Sequence, residues 1–262
     1  QMKTLIYEPP SGLDALHLKE VIKSFNCRRS LMPAKVFLKD YNYRKPSIEI
    51  TGEAEVDPEG RGTVYYYHEH MQSPEDGKRL AEIRAESIFC RREEFYGESS
   101  VPYMFPGFTF TLDGHFKGGF NRKYLITDVT HEGSQTGYLL TGIRTGLKED
   151  ETNRMYYRNN FTVIPASVQF RPEVRAEKPK ISGTVVGKID ASGSGKYAEL
   201  DEMGRYKVVI PFDLSGKEVG KSTSWVRMAQ PYAGSDHGMH FPLHKGTEVL
   251  LTFIDGDPDR PI

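Results

Sequence analysis

The segment that most constrains this chain is residues 171–180, with the sequence RPEVRAEKPK, about two thirds of the way along it. Two prolines and six charged residues leave it almost no apolar side chains. Such a stretch adds neither a helix nor a strand to a packed core. It predicts a linker, residues 173–180, between two domains formed by residues 1–172 and 181–262.

Composition excludes several classes of protein. Hydrophobic residues make up 37% and charged residues 27% of the 262 residues, as in a folded soluble protein, and no apolar run reaches the ~18 residues of a membrane-spanning helix. Lys and Arg number 35 against 36 Asp and Glu, which argues against a dedicated nucleic-acid binder. Cys27 and Cys90 are too few for a disulfide scaffold and fit a reducing compartment. No leader follows Gln1-Met2, so no signal peptide is expected.

The N-terminal domain is predicted to be mainly β with two helices. The first helix begins at Ser11 and has apolar residues at helical spacing between 18 and 25. The second is capped by Ser73, continues with Pro74 and two acidic residues, and ends at Gly97, with Glu93 and Glu94 on its surface. Strands are expected at 36–38, 48–50, 108–112, 123–131, 138–146 and 161–170, with a turn at 132–137 and a polar loop at 148–160.

The C-terminal domain contains only strands and turns. Apolar or alternating runs occupy residues 181–189, 205–212, 225–229 and 249–254, and glycine-rich turns separate them. Four short strands in about eighty residues are typical of the five-stranded Greek-key barrel called the OB-fold. The predicted fold class is therefore a mainly β, partly helical region followed by an all-β OB-fold barrel.

Histidine clusters are the first candidate metal sites. On a strand, His68 and His70 would share a face, but two ligands do not make a zinc site, and a solvated strand end is favoured. His237, His240 and His244 lie within eight residues of one another without a supporting carboxylate or cysteine pattern. We interpret them as exposed imidazoles on a turn-rich loop.

Two further patterns suggest ion or phosphate binding without meeting the requirements. Asp255, Asp257 and Asp259 alternate as in a calcium loop, but glycine and proline are misplaced, and a tight turn is favoured. Residues 192–196, SGSGK, resemble the end of a phosphate loop, yet Asp190 replaces the leading glycine and no helix pattern follows. A hairpin turn is expected there.

No residue pattern argues for catalysis. The chain has no Gly-x-Ser-x-Gly elbow and no cysteine in a catalytic context. Residues 180–262 hold ten Lys and Arg against eleven Asp and Glu, so Trp225, Tyr206 and Phe253 are expected to fill the barrel rather than stack on nucleic-acid bases. The predicted set of catalytic, cofactor-binding and metal-binding residues is empty, and no cofactor is expected.

Long strings in the chain resemble those of one family. In the C-terminal third they are residues 201–208 (DEMGRYKV), 224–234 (SWVRMAQPYAG), 241–250 (FPLHKGTEVL) and 256–262 (GDPDRPI). The N-terminal part adds 39–46 (KDYNYRKP), 96–110 (YGESSVPYMFPGFTF) and 124–131 (YLITDVTH). These resemble, in order, strings of the VgrG proteins, which form the trimeric tip of the type VI secretion system and are similar to fused hub and spike proteins of contractile phage tails.

The resemblance implies a domain plan and an assembly. Residues 1–172 would be the second half of the hub module, and residues 181–262 the OB-fold barrel at the base of the spike. About two hundred further hub residues would precede the chain, and a triple-stranded β-helix would follow Ile262. Aromatic residues would then serve core or interface packing: Phe108, Phe110, Tyr124 and Trp225.

The resemblance also implies a function that depends on shape rather than chemistry. The chain would be a structural adaptor, and not an enzyme, in a homotrimer that joins a hexameric Hcp-like tube to the spike. Spike-tip and effector proteins would be its other partners, the target membrane would be reached only through the spike, and no nucleic acid would bind. It would assemble in the cytoplasm and then be injected.

Three alternatives remain open. One is the equivalent hub and spike protein of a contractile phage or tailocin. Another is an OB-fold protein that binds oligonucleotides or oligosaccharides. The last is an effector-bearing member of the family, with its enzymatic domain outside these residues.

Overall fold

A computed structural model of the protein describes residues 4–10, 19–134, 156–234 and 236–262. The chain divides into two compact units, Gln1–Glu173 and Val174–Ile262. Strands are the main regular elements in both. In the N-terminal unit the elements are β1 Thr4–Ile6, β2 Ile22–Arg29, β3 Lys35–Asp40, β4 Ile50–Glu55, β5 Thr63–Tyr67, α1 Pro74–Phe89, β6 Glu93–Ser99, β7 Thr109–Asp113, β8 Lys123–Ser134 and β9 Tyr156–Pro165.

Six strands of the N-terminal unit form one curled sheet in the order β1-β7-β8-β9-β6-β2. The residues just after β1 connect the first and last strands of this sheet. Tyr7 forms a bridge with Ile22 of β2, and the Glu8 amide donates to the Ile22 carbonyl at 2.9 Å. The sheet therefore closes on itself around a single core. Aromatic side chains fill much of that core, with Phe25 stacked on Phe95 at 5.2 Å and Tyr124 edge-on to both.

The predicted first helix is wrong where the structure describes it. Residues 22–29 form β2, and Ser11 lies outside the described residues. The pairing shifts between Ile22 and Ser24 opposite β6, which is a β-bulge. Because of the extra residue, the side chains of Ile22 and Phe25 both point into the core. The buried residues of this strand are therefore three positions apart, as they would be in a helix.

A three-stranded sheet, β4-β3-β5, carries α1 on one face. Local signals predicted this helix correctly at its start. Ser73 is the N-cap and accepts a hydrogen bond from the Asp76 amide at 3.2 Å. Val36, Leu38 and Ile50 of the sheet are buried with Ala81 and Ala85 of the helix.

The end of this helix differs from the prediction. It stops at Phe89, and Gly97 and Glu93 both belong to strand β6. Gly97 is there for packing, since an added Cβ would lie 2.3 Å from the Phe161 ring and 2.6 Å from the Ser24 carbonyl oxygen. Among the described residues no helix has the length and apolar character needed to cross a bilayer.

Strands β8 and β9 are longer than the sequence pattern indicated. Glu132–Ser134, predicted as part of a turn, continue β8, and residues 156–160, predicted as part of a polar loop, begin β9. The two strands pair from Tyr124–Pro165 to Ser134–Tyr156. The predicted strand at 138–146 lies outside the described residues. Polar residues suit these extensions because alternate side chains face outward.

The C-terminal unit contains a sheet of β10 Val185–Asp190, β11 Lys207–Val209 and β12 Glu248–Leu251, with β10 in the centre. The strand expected at 225–229 is reduced to one bridge between Tyr206 and Val226. The strand expected at 249–254 ends at Leu251 and is followed by a 3-10 turn, Ile254–Gly256. The core buries Ile189, Ala191, Ala198, Tyr206, Val208, Val226 and Leu251.

Candidate assembly interface

The histidines singled out in the sequence do not lie as the sequence pattern suggested. His68 and His70 follow β5 with backbone φ angles of 64° and 59°, so they are not neighbours on one face of a strand. In the C-terminal unit the other three contact different partners. The ring of His237 packs near Tyr232, His240 near Tyr206, and His244 near Tyr197. The described atoms of these three histidines form no ligand cluster.

The aspartates at 255–259 form the tight turn that the sequence favoured. Asp255 has a φ of 54°, in the left-handed region. The side chain of Asp257 accepts a hydrogen bond from the Asp259 amide at 3.0 Å, which is an Asx turn. These contacts are those of a structural turn, and the prediction that no metal residue is present stays a prediction.

Asp190 has a role that sequence reasoning missed. Its buried carboxylate accepts hydrogen bonds from the Gly220 amide at 2.8 Å, the Ser222 amide at 3.1 Å and the Ser222 hydroxyl. Burial alone would raise the pKa of Asp190, but these bonds and the nearby Lys207 ammonium hold that pKa below its ordinary value. Asp190 therefore anchors the far end of the segment of residues 210–222, here called the 210–222 loop.

The 210–222 loop exposes large apolar side chains, two of them beside the turn at its tip. Leu214 is 94% exposed, and Phe212 and Val219 are each about 70% exposed. The Asp213 carboxylate accepts a hydrogen bond from the Ser215 amide at 2.9 Å, which shapes the turn at the tip. An ordered loop that presents apolar residues to solvent is a candidate contact surface.

A second exposed apolar area lies on the sheet of the same unit. Val186 of β10 and Leu250 of β12 are directly opposed across the two strands, and Leu250 is 66% exposed. Lys188 and Glu248, the next opposed pair on this face, are also exposed. We refer to Val186 and Leu250 as the sheet patch.

An arginine-rich cluster lies at one end of the N-terminal barrel. Glu93 binds Arg29 at 2.7 Å and Arg122 at 2.8 Å. Burial by itself would raise the pKa of Glu93, but the two guanidinium groups hold it below its usual value. Arg122 also lies over the rings of Phe95 and Tyr124, at 5.3 and 5.6 Å from their centroids. The cluster thus fastens β2, β6 and β8 together.

Aromatic residues on the outside of the barrel form a further surface. Phe105 and Phe108 are about half exposed, with ring centroids 6.3 Å apart, and Phe105 lies 6.0 Å from the ring of His131. Of the aromatics predicted for core or interface packing, Phe110 and Tyr124 are buried and Phe108 is exposed. Exposed aromatics of this kind are enriched at protein interfaces.

The aromatic residues weighed for nucleic-acid stacking do not form an open platform. Tyr206 is buried, and its hydroxyl lies 3.3 Å from the His240 Nε2 atom. Trp225 is partly buried, with the Lys207 ammonium 4.8 Å from its ring centre. Phe253 packs against the core. This arrangement supports packing roles for all three.

Comparison with known proteins gives two family matches in chain order. The family described as phage tail baseplate hub (GPD) matches residues 1–137. The family described as type VI secretion system/phage-baseplate injector OB domain matches residues 198–262. The β-rich hub unit is therefore followed by an OB domain, as the sequence predicted.

Individual relatives agree with this assignment. The chain is 28% identical over 246 residues to the type VI secretion system spike protein VgrG5 of Pseudomonas aeruginosa, covering 92% of this chain and 31% of that protein. It is 31% identical over 235 residues to the spike protein VgrG3 of Vibrio cholerae, covering 86% and 22%. The chain thus spans less than a third of either relative.

A solved structure shows the same fold. It is that of the E. coli c3393 protein, described as a component of the type VI secretion system similar in structure to the T4 bacteriophage tail proteins gp27 and gp5. The TM-score is 0.54 at 21% identity, over 98% of this chain and 47% of that chain. With the hub match extending over more than half of the 262 residues, the chain belongs to the phage tail baseplate hub family.

Proposed function

We propose that this chain is a structural component of the puncturing tip of a type VI secretion system. The observation that carries the proposal is the order of the two matches, a baseplate hub followed by an injector OB domain within one chain. The two relatives described above are both named as spike proteins of that system. In this proposal, residues 1–172 belong to the hub, residues 173–180 are a linker, and residues 181–262 form the barrel at the base of the spike.

The proposed assembly is a homotrimer that joins a tube to a spike. Three copies, each with hub barrels, present a ring to a hexameric tube protein of the Hcp type, and the OB barrels narrow toward a β-helix spike. Closed rings of this kind use two different patches on each copy. The exposed aromatic and aliphatic surfaces of both units supply candidate patches.

The proposed activity is mechanical. The ionised groups described here hold strands or loops together, as Glu93 and Asp190 do. We therefore propose that these residues carry no enzymatic step and that spike-tip and effector proteins provide the payload. The protein assembles in the cytoplasm and leaves the cell through the machine.

Removal of the gene tests this function. In the source bacterium, deletion of the complete coding sequence, with other spike genes absent, should abolish release of the tube protein into the medium. Reintroduction of the intact gene should restore it. Undiminished release would contradict the proposal. The contractile-phage alternative, which the match to a phage tail baseplate hub family favours, predicts instead loss of infective or bactericidal tail particles.

A further inference from the structure

We propose that the 210–222 loop is the contact between protomers, and that its tip packs on the sheet patch of a second copy of this chain. The inference rests on the trimeric assembly proposed above and names the surface that forms it. The C-terminal unit exposes more large apolar side chains than it buries. Apolar surface of this extent, held in an ordered conformation, is typical of a protein contact.

The loop is already fixed in one conformation. Asp190 binds the Gly220 and Ser222 amides, and the Lys217 ammonium donates to the Ser222 carbonyl at 3.3 Å. The Asp213 amide donates to the Ile210 carbonyl at 3.0 Å, which forms a turn at the start of the loop. A loop that is held at its far end and shaped by internal hydrogen bonds loses less conformational entropy when its tip is buried, which favours association.

Charge favours a second copy over an anionic bilayer or a nucleic acid. Residues 210–222 contain two lysines and two acidic residues, and Lys221 is paired with Glu218 at 2.7 Å. Segments that bind membranes usually carry excess Lys or Arg beside their apolar residues. The sheet patch is flanked by one cation and one anion, Lys188 and Glu248, so it is also neutral. The 210–222 loop of one copy and the sheet patch of the next can therefore pack together without bringing like charges into contact.

Ring geometry gives the reason for pairing loop with sheet. A ring of three copies closes through unlike patches, in which the tip of each copy meets a different surface on the next. The loop tip carries Phe212 and Leu214, and the sheet patch offers Val186 and Leu250 to receive them. Each copy thus has one projecting and one flat aliphatic surface.

Cysteine cross-linking between two separately altered copies tests the contact. The protein made from the complete coding sequence is produced as L214C, as L250C, and as a co-expressed mixture, followed by mild oxidation. The mixture should form covalent dimers, and neither variant alone should, because positions 214 and 250 meet only between different copies. The single variants also control for the natural Cys27 and Cys90.

The outcomes separate this contact from the proposed function. If light scattering of the unaltered protein gives three copies but the mixture gives no covalent dimer, the contact is wrong and the trimer stands. If the unaltered protein is a single copy, the proposed function fails as well.

A second variant tests the loop by affinity. Replacing Leu214 by Asp should raise the concentration at which the trimer dissociates by about tenfold or more, because a charge replaces a buried apolar group. Leu200→Asp is the matched control, since Leu200 is also exposed in this unit but lies outside both patches. Flotation with phosphatidylcholine–phosphatidylglycerol vesicles that requires Leu214 would assign the tip to a bilayer and overturn the proposal.

Discussion

Gly52 of β4 and Gly77 of α1 touch through their backbones: a methyl group on Gly52 would lie 2.0 Å from the Gly77 carbonyl oxygen. From the helix side, a methyl group on Gly77 would lie 2.5 Å from the Thr51 carbonyl oxygen. Two glycines in register therefore set the distance between α1 and its sheet. A larger residue at either position must push the helix away.

Gly52→Ala should destabilise the N-terminal unit by about 1–3 kcal/mol or more, because the obstacle is backbone and cannot rotate aside. Urea unfolding followed by far-ultraviolet circular dichroism measures the change. Gly119→Ala is the control, since nothing lies within 4 Å of its added methyl group. Equal midpoints for the two variants would contradict the close contact.

A buried hydrogen-bonded pair, Ser99 and Asn159, should contribute as much to the free energy of unfolding as an apolar core residue does. The Ser99 hydroxyl donates to the Asn159 side-chain oxygen at 2.7 Å. The side-chain nitrogen of Asn159 donates to the Val101 carbonyl, also at 2.7 Å. Asn159→Ala should cost about 1–3 kcal/mol of unfolding free energy because it leaves buried groups without partners. Asn160→Ala, the exposed neighbour on the same strand, should change stability by less than about 0.5 kcal/mol. Thermal unfolding of the two variants compares them directly.

Asp190, which anchors the 210–222 loop, should lose its stabilising effect in acid. The folded-state pKa of Asp190 is depressed, so its stabilisation is complete above the unfolded value of about 3.9 and is lost as pH falls through the lower folded value. Trp225 is the chain's one tryptophan, and the Lys207 ammonium that contacts its ring also binds the Gly220 carbonyl. Tryptophan fluorescence should therefore report this loss in the C-terminal unit.

Asp190→Asn should lower the stability of the C-terminal unit at pH 7 and flatten its dependence on pH below about 4. Glu202→Gln, at an exposed position of the same unit, should leave both properties unchanged. An acid profile that is the same for Asp190→Asn and the unaltered protein would contradict the role given to Asp190.

Two arginines that pair with acidic residues, Arg122 and Arg158, should contribute differently to stability. Arg122 binds Glu93 and lies over two buried rings, whereas Arg158 binds Glu132 at 2.6 Å with both side chains about half exposed. Arg122→Ala should cost about 1–3 kcal/mol of unfolding free energy. Arg158→Ala should cost less, because solvent screens its pair with Glu132. Chemical denaturation of both variants decides the order, and a larger loss for Arg158→Ala would refute it.

Local signals predicted most accurately the boundaries that are determined locally. The start of α1 depends on the Ser73 cap and Pro74 within one turn, and the sequence predicted it. Strand β2 was mistaken for a helix because its bulge depends on pairing with β6, about seventy residues away. Asn159 was placed in a loop because its polarity hides its buried partner, Ser99.

The candidate contact surfaces also include features that the sequence indicates and features that only the tertiary structure reveals. The order of hub and barrel was recognisable from sequence strings. The anchoring of Gly220 and Ser222 by Asp190 joins residues about thirty positions apart, and no local pattern around Asp190 indicates it. Exposure of Leu214 and Leu250 likewise follows from tertiary packing, and an apolar residue in a strand or loop does not reveal it.

The copy number of the assembled protein tests the central claim most directly. Light scattering on the protein made from the complete coding sequence, at micromolar concentration and physiological salt, gives its molar mass. Division by the mass of one chain should yield three. A value of one or two would contradict an adaptor built around a threefold axis.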